Sequence, residues 1–318
     1  MLRLFLLLIA CLNLPVSAAP LPVVKVGVLH GGTVHWELKT LQAEGLDRVH
    51  GFALDIQPYA TMSATRLALS SDGVDAIVSD WLWAGQRQAQ GEALWFVPYS
   101  RSIGRVIVAE DSELTWPDGL RGKRIGVAGG PYSKGWVLLQ AEARQAGIDL
   151  KREAQITFAA PPLLNSELER GNLDLLVTFW HYGARLEAKG FKPLLSLQTI
   201  TENQGLSAQM PMLGYLFKRD WVEQNPVLAR GFKQAVAQTK LRLQSDADDR
   251  RWARIRPLMK ATDDATFAAL RSGYLQGVPT ALDDAQISSA QRFYTLIDQS
   301  RKTPTHQPLD ASLFRLQP

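Results

Sequence analysis

Cysteine is nearly absent from the chain: Cys11 is the only one. Everything after it is therefore without disulfides, thiolate metal sites or a cysteine nucleophile. Basic runs with interleaved aromatics are missing too, which argues against nucleic acid as a partner. The 35 Lys and Arg and 31 Asp and Glu are spread along the chain, and the formal charge of +4 mainly serves solubility. Past the N-terminal segment, no apolar run is long enough to cross a bilayer. Without staples the chain must fold by burying apolar surface, and its 46% hydrophobic residues supply the material. Roughly 300 residues exceed one typical core and favour two domains.

The chain start reads as an export signal. Arg3 precedes an apolar run over 4–12, broken at Asn13 and Pro15, and Val16-Ser17-Ala18 suits a signal peptidase. Residues 1–18 are thus expected to be a signal peptide, cleaved after Ala18 because a later cut would leave Pro20 at the new terminus. A rival reading makes Leu8-Ile9-Ala10-Cys11 a lipoprotein signal with Cys11 acylated.

The most informative feature is an internal repeat. Lys25-Val26-Gly27-Val28 returns as Arg124-Ile125-Gly126-Val127. The run from Val74 to Trp81, VDAIVSDW, returns as LDLLVTFW from Leu173 to Trp180, at the same distance along the chain. Gly45-Leu46-Asp47 matches Gly147-Ile148-Asp149, and Asp72-Gly73 matches Arg170-Gly171. Each copy reads as β-α-β-α-β: strands over 23–29, 52–58 and 74–79 with helices over 35–44 and 63–71, then strands over 123–128, 155–158 and 173–178 with helices over 133–146 and 163–170. Ser63 is the expected N-cap of the second helix. Strands alternating with helices predict parallel sheets with right-handed crossovers. The fold class is α/β, with two doubly wound lobes and a ligand cleft between them. A strand over 212–218 and four helical stretches follow with no third copy of the repeat, and return to complete the first lobe. The expected limits are 20–102 with 210–318 for lobe one and 103–209 for lobe two. Beyond Arg301 the chain is polar and Pro-containing, and reads as an extended, loosely held end.

In open α/β sheets, ligands sit at the carboxyl ends of strands, where loops lead into helix N-termini. Two facing lobes would bring six such loops together: 30–36, 59–63 and 79–83 from one, 129–133, 159–165 and 179–182 from the other. Gly31-Gly32 and Gly129-Gly130 follow the first strand of each copy, and either make tight turns or let backbone N–H groups approach a ligand. Trp36, Trp81, Trp83, Tyr132, Trp136, Phe179, Trp180 and Tyr182 lie in or beside these loops. They read either as core packing or as rings that stack on a planar, apolar or cationic ligand. Asp80 reads either as a carboxylate that meets the ligand or as a cap for the following helix. His30, His35 and His181 are the candidate imidazoles, but their spacing does not suit a metal, and none is expected. Arg66, Arg101, Arg105 and Lys134 are possible counter-charges for an anion, or solvated or paired surface groups.

These features resemble the periplasmic substrate-binding proteins of ABC transporters for nitrate, sulfonate, taurine and thiamine precursors, the NitT/TauT-like family. The resemblance rests on Val24-Lys25-Val26-Gly27-Val28, Ala43-Glu44-Gly45-Leu46-Asp47, Arg66-Leu67-Ala68-Leu69, Gly73-Val74-Asp75-Ala76, the segment from Leu120 to Val127, and the stretch from Tyr215 with Trp221 and Asn225-Pro226. It implies a type II periplasmic binding protein fold, a periplasmic location and a hinge that closes over a small molecule. The closed form would then dock on an ABC permease at the inner membrane, with the protein a monomer and no cofactor. Carried over by position, the ligand contacts would be His30, Gly31, Thr33, Trp36, Thr61, Ser63, Ser79, Asp80, Trp81, Tyr132, Ser133, Trp180, His181 and Tyr182. The aromatic and histidine content favours a heteroaromatic or amine-bearing ligand over a sulfonate, taurine or nitrate type of anion. Cysteine clusters of the pyrimidine-forming relatives are missing, so that activity is not expected. Two other functions compete: a sensing subunit that presents its closed form to a membrane receptor, and a cleft enzyme using Asp80 and His181. No orienting third group or nucleophile elbow supports the enzyme.

Overall fold

The computed structural model describes residues 20–246, 249–301 and 303–315. The expected signal peptide and Cys11 lie outside the described residues. Among those residues, no helix is long and apolar enough to cross a membrane.

The chain opens with β1 (Val23–Leu29), α1 (Val34–Ala43), α2 (Leu46–Val49), β2 (Ala53–Tyr59), α3 (Met62–Ser70), β3 (Ala76–Ser79), α4 (Trp81–Gln88) and β4 (Leu94–Ser100). It continues with β5 (Gly104–Val108), β6 (Arg124–Ala128), α5 (Lys134–Gln145), α6 (Leu150–Glu153), β7 (Gln155–Ala159), α7 (Pro161–Glu169), β8 (Leu175–Phe179), α8 (Trp180–Glu187), β9 (Lys192–Ser196) and α9 (Leu197–Asn203). The last part holds β10 (Leu213–Lys218), α10 (Arg219–Gln224), α11 (Pro226–Gln244), α12 (Arg250–Met259), α13 (Asp264–Gln276), α14 (Asp284–Gln299) and α15 (Ser312–Arg315). Two five-stranded sheets result, in the orders β2-β1-β3-β10-β4 and β7-β6-β8-β5-β9.

The repeat appears as matched register and matched pins. Gly27 pairs with Ile77 in the first sheet, and Gly126 with Leu176 in the second. Just before β3, the Asp75 carboxylate accepts the Lys25 N–H at 2.7 Å, and the Asp75 N–H donates to the Lys25 carbonyl at 2.9 Å. Asp174 does the same with Arg124, at 2.7 and 2.9 Å. The repeated Asp thus fixes where the first and third strands of each unit begin.

The sheets are not all parallel, which corrects the expectation. β10 runs antiparallel to β3 and β4, and β5 runs antiparallel to β8 and β9. The reason is topological. β4 ends at the cleft, so the chain enters the second sheet from its cleft edge and β5 must run away from it. β10 re-enters the first sheet after α9 in the same way. The crossings are 101–103 and 204–212. A second correction concerns α3, whose N-cap is Thr61 rather than Ser63: the Thr61 Oγ1 accepts the Ala64 N–H at 3.1 Å.

The C-terminal helices complete the first lobe. Phe232 of α11 packs on Phe52 and Tyr215. Beneath them the buried Glu37 carboxylate pairs with Lys240 and accepts the hydroxyls of Tyr215 at 2.8 Å and Tyr274 at 2.6 Å. A buried ion pair persists only when its remaining hydrogen-bonding capacity is met, and the two tyrosines meet it. The tail after Arg301 is held, against expectation. Asp298 accepts the N–H groups of Thr305 and His306, and Leu309, Leu313 and Phe314 are buried, with Phe314 on Phe96. Three apolar residues in an otherwise polar tail suffice to dock it beside β4.

Candidate functional site

A cavity of about 720 Å³ lies between the two sheets. Strand-end turns from both sheets line it: 29–34 and 80–83 on one side, 128–135 and 177–182 on the other. Ser102 and Ile103 of the first crossing and Leu213, where β10 begins after the second, also line it. Facing lobes therefore present opposed helix N-termini to one space. Neither Thr33 before α1 nor Phe179 before α8 caps its helix with a side chain. Ser133 does cap α5, accepting the Trp136 N–H.

Nine of the fourteen ligand contacts carried over by position line this space: His30, Gly31, Thr33, Asp80, Tyr132, Ser133, Trp180, His181 and Tyr182. Five do not. Trp81 is fully buried, its Nε1 donates to the Pro211 carbonyl at 2.7 Å and its ring meets Phe293, so it ties α4 to the second crossing. Trp36 of α1 is buried, edge-on to Trp180 with ring centroids 6.0 Å apart. Ser79 is buried in β3, where its hydroxyl accepts from Arg66 Nη2 at 3.3 Å. Thr61 is spent on its cap, and Ser63 is exposed.

Asp80 takes the cap reading, and its second oxygen is met by the protein itself. Its Oδ1 accepts the Trp83 N–H at 3.0 Å and caps α4. Its Oδ2 accepts from Lys134 Nζ, on the opposite wall, at 2.6 Å. Burial pushes the carboxyl up, but Lys134, the Trp83 N–H and Arg66 overcome it and hold Asp80 below the usual aspartate range. The charge that meets Asp80 is thus the protein's own.

Arg66 is different. Its guanidinium lies over the Trp83 ring, 5.2 Å from the centroid. Among the described residues its Nε is buried without a hydrogen-bond partner, and its one hydrogen bond is to the neutral Ser79 hydroxyl. Burial lowers its pKa, which the field of Asp80 partly offsets. Arg301, from beyond α14, also lines the cavity. Three cationic side chains, Arg66, Lys134 and Arg301, thus stand against one lining carboxylate, Asp80, among the described residues.

The aromatic wall belongs to the start of α8. His181 lies 4.5 Å from the Tyr182 ring and stacks on Phe179. Burial, with a smaller contribution from Arg185, lowers the His181 pKa to about 4, and its Nδ1 has no hydrogen-bond partner. It is therefore a neutral imidazole near pH 7. Among the described residues, no group of three or more His, Cys, Asp or Glu is arranged to hold a metal.

Several lining residues carried no decisive local signal. Arg66 lies one helical turn from Met62, which also lines the cavity, but a helix-face arginine reads equally as a solvated group. Arg301 arrives from a distant return of the chain, and nothing around it in sequence marks it.

The fold and the inter-lobe cavity define a two-lobed α/β protein of the type II periplasmic binding protein arrangement. Several solved structures resemble it along most of its length. The periplasmic aliphatic sulphonate binding protein SsuA from Escherichia coli superposes with a TM-score of 0.75 at 18% identity, covering 93% of this chain and 92% of that one. The alkanesulfonate-binding protein SsuA from Xanthomonas axonopodis pv. citri, bound to MOPS, gives 0.65 at 18% identity, over 90% and 96%. The desulfurization enzyme DSZB gives 0.63 at 14% identity, over 92% and 95%. No family model matches the chain, and no curated protein matches it.

Proposed function

We propose that the protein is the periplasmic solute-binding component of an ABC import system and that its solute is an organic anion with an apolar or aromatic body. The observation that carries the ligand class is the charge count of the cavity. Asp80 is neutralised by Lys134, which leaves Arg66 and Arg301 in excess. A half-buried guanidinium without a hydrogen-bonded carboxylate partner favours an oxyanion. This reading replaces the expected amine-bearing ligand, because the carboxylate that would have met the amine is taken. The volume favours an organic solute, since cavities of 300–1,000 Å³ suit drug-sized molecules, and nitrate would leave most of about 720 Å³ unfilled.

The sulfonate-binding names of two structural neighbours support the same direction. The export-type N-terminus supports a periplasmic location, with an inner-membrane permease as the partner. We take the lobes as 20–102 with 210–318, and 103–209, in a monomer. The enzyme reading is set aside. His181 Nδ1 has no orienting partner, and both Asp80 oxygens are engaged, so no acid–base pair is assembled. A thermal-shift panel of aryl and alkyl sulfonates, aryl carboxylates, amines and nitrate tests the proposal. Organic anions should raise the melting point by linkage. A response to amines alone would refute the ligand class.

A further inference from the structure

Helix α8 packs on its own sheet through Leu186, yet a second buried face reaches the first lobe. Trp180, 6% exposed, and Ala184 join the hydrophobic cluster of Trp36, Trp252 and Tyr274. The Trp180 ring meets Trp36 edge-on, and Trp36 in turn lies 6.3 Å from Tyr274 of α13. The seat for Trp180 depends on Gly273: a Cβ there would fall 2.7 Å from the indole Cε3. Just past α13, its C-cap Gly277 lies against the first crossing, where a Cβ would come within 2.4 Å of the Ser102 hydroxyl. Its carbonyl accepts the Arg101 N–H at 2.9 Å. One face of α13 therefore runs beside the first crossing and onto the opposite lobe.

Polar contacts reinforce this seat. Arg185 donates from Nη2 to the Met259 carbonyl at 2.6 Å and from Nη1 to the Lys260 carbonyl at 3.2 Å, at the C-terminal end of α12. A cation there satisfies orphan carbonyls and meets the negative end of the helix dipole. Arg105 Nη2 of β5 also reaches Gln276 Oε1 of α13, at 3.3 Å.

We propose that this contact is a latch that holds the lobes together without ligand. Gly273 and Arg185 are its positioning residues, setting how much of the closed form exists before solute arrives. Neither lines the cavity. The inference goes beyond the proposed function and rests on the two-lobed fold, independent of the solute's identity. A ligand closes a two-state protein only by its differential affinity, so a latch that stabilises the closed state raises apparent affinity from outside the site.

The test needs no ligand. Leu67 on α3 and Leu163 on α7 are exposed, on opposite lobes. A chain lacking the N-terminal segment is free of cysteine. The double variant Leu67→Cys/Leu163→Cys, spin-labelled, reports the inter-lobe distance by pulsed electron resonance. The expected result is one compact population in this protein. Gly273→Ala and Arg185→Ala should each add a longer-distance population. Removing two hydrogen bonds from a charged group should change the closed-to-open ratio about tenfold or more. Alanine is the better helix former at 273, so opening there would not reflect a weakened α13. If Gly273→Ala fails to fold, Arg185→Ala decides alone. Folded variants with an unchanged distance distribution would overturn the latch.

Discussion

Lys134, from the second lobe, donates to Asp80, from the first, with Nζ and Oδ2 2.6 Å apart inside the shared cavity. The pair joins the cleft walls and consumes the one carboxylate that lines them among the described residues. Replacing Lys134 with Met should cost about 1–3 kcal/mol, because Asp80 keeps its cap but loses its charge partner. Urea denaturation of both proteins measures this. The sign of the pH effect follows from the depressed Asp80 pKa. The contribution is complete above the ordinary value of 3.8 and is lost as pH falls through the lower folded value. Asp80→Asn should therefore show a smaller loss of stability in that acid range.

His181 gives a second pH signature. Its folded value of about 4 lies below the ordinary 6.5, so between these the unfolded chain holds a proton that the folded one does not. Stability then falls as pH drops from 6.5 toward 4. His181→Gln should flatten that part of a melting-point profile. An unchanged slope would mean the imidazole is solvated.

Arg66 is expected to anchor the anionic end of the solute. Arg66→Ala should weaken binding of the best organic anion about 10- to 100-fold, the range for losing hydrogen bonds to a charged group. Arg66→Lys should recover part of the loss, since the charge returns without the planar fork. Isothermal titration measures both.

Gly104 tests how the chain enters the second sheet. A Cβ at this position would lie 2.0 Å from the Thr178 carbonyl oxygen, which is backbone and cannot swing aside. Gly104→Ala should destabilise the protein by about 3 kcal/mol or more. Chemical denaturation gives the value.

The duplicated unit was legible because a structural need recurs in it. Asp75 and Asp174 each pin the start of a strand 50 residues back, so both copies must carry Asp there. Strand-end loops as cavity walls followed from the same repeat. The antiparallel strands β5 and β10 were not legible, since their direction is set by which edge of a sheet the chain enters. Nor was the division of the tryptophans. Trp81 and Trp83 are neighbours, yet the first is drawn to Pro211 and Phe293, while the second turns to the cavity beneath Arg66. Those partners lie far away in sequence. Local pattern finds the aromatic cluster but cannot say which rings the core claims.

Hydrogen–deuterium exchange with the strongest anion from the panel tests the central claim most directly. Capture between the lobes should slow exchange on both walls together, in the turns at 30–34 and 80–83 and in those at 129–135 and 179–182. Protection confined to one lobe, or located away from these turns, would contradict capture between the two sheets.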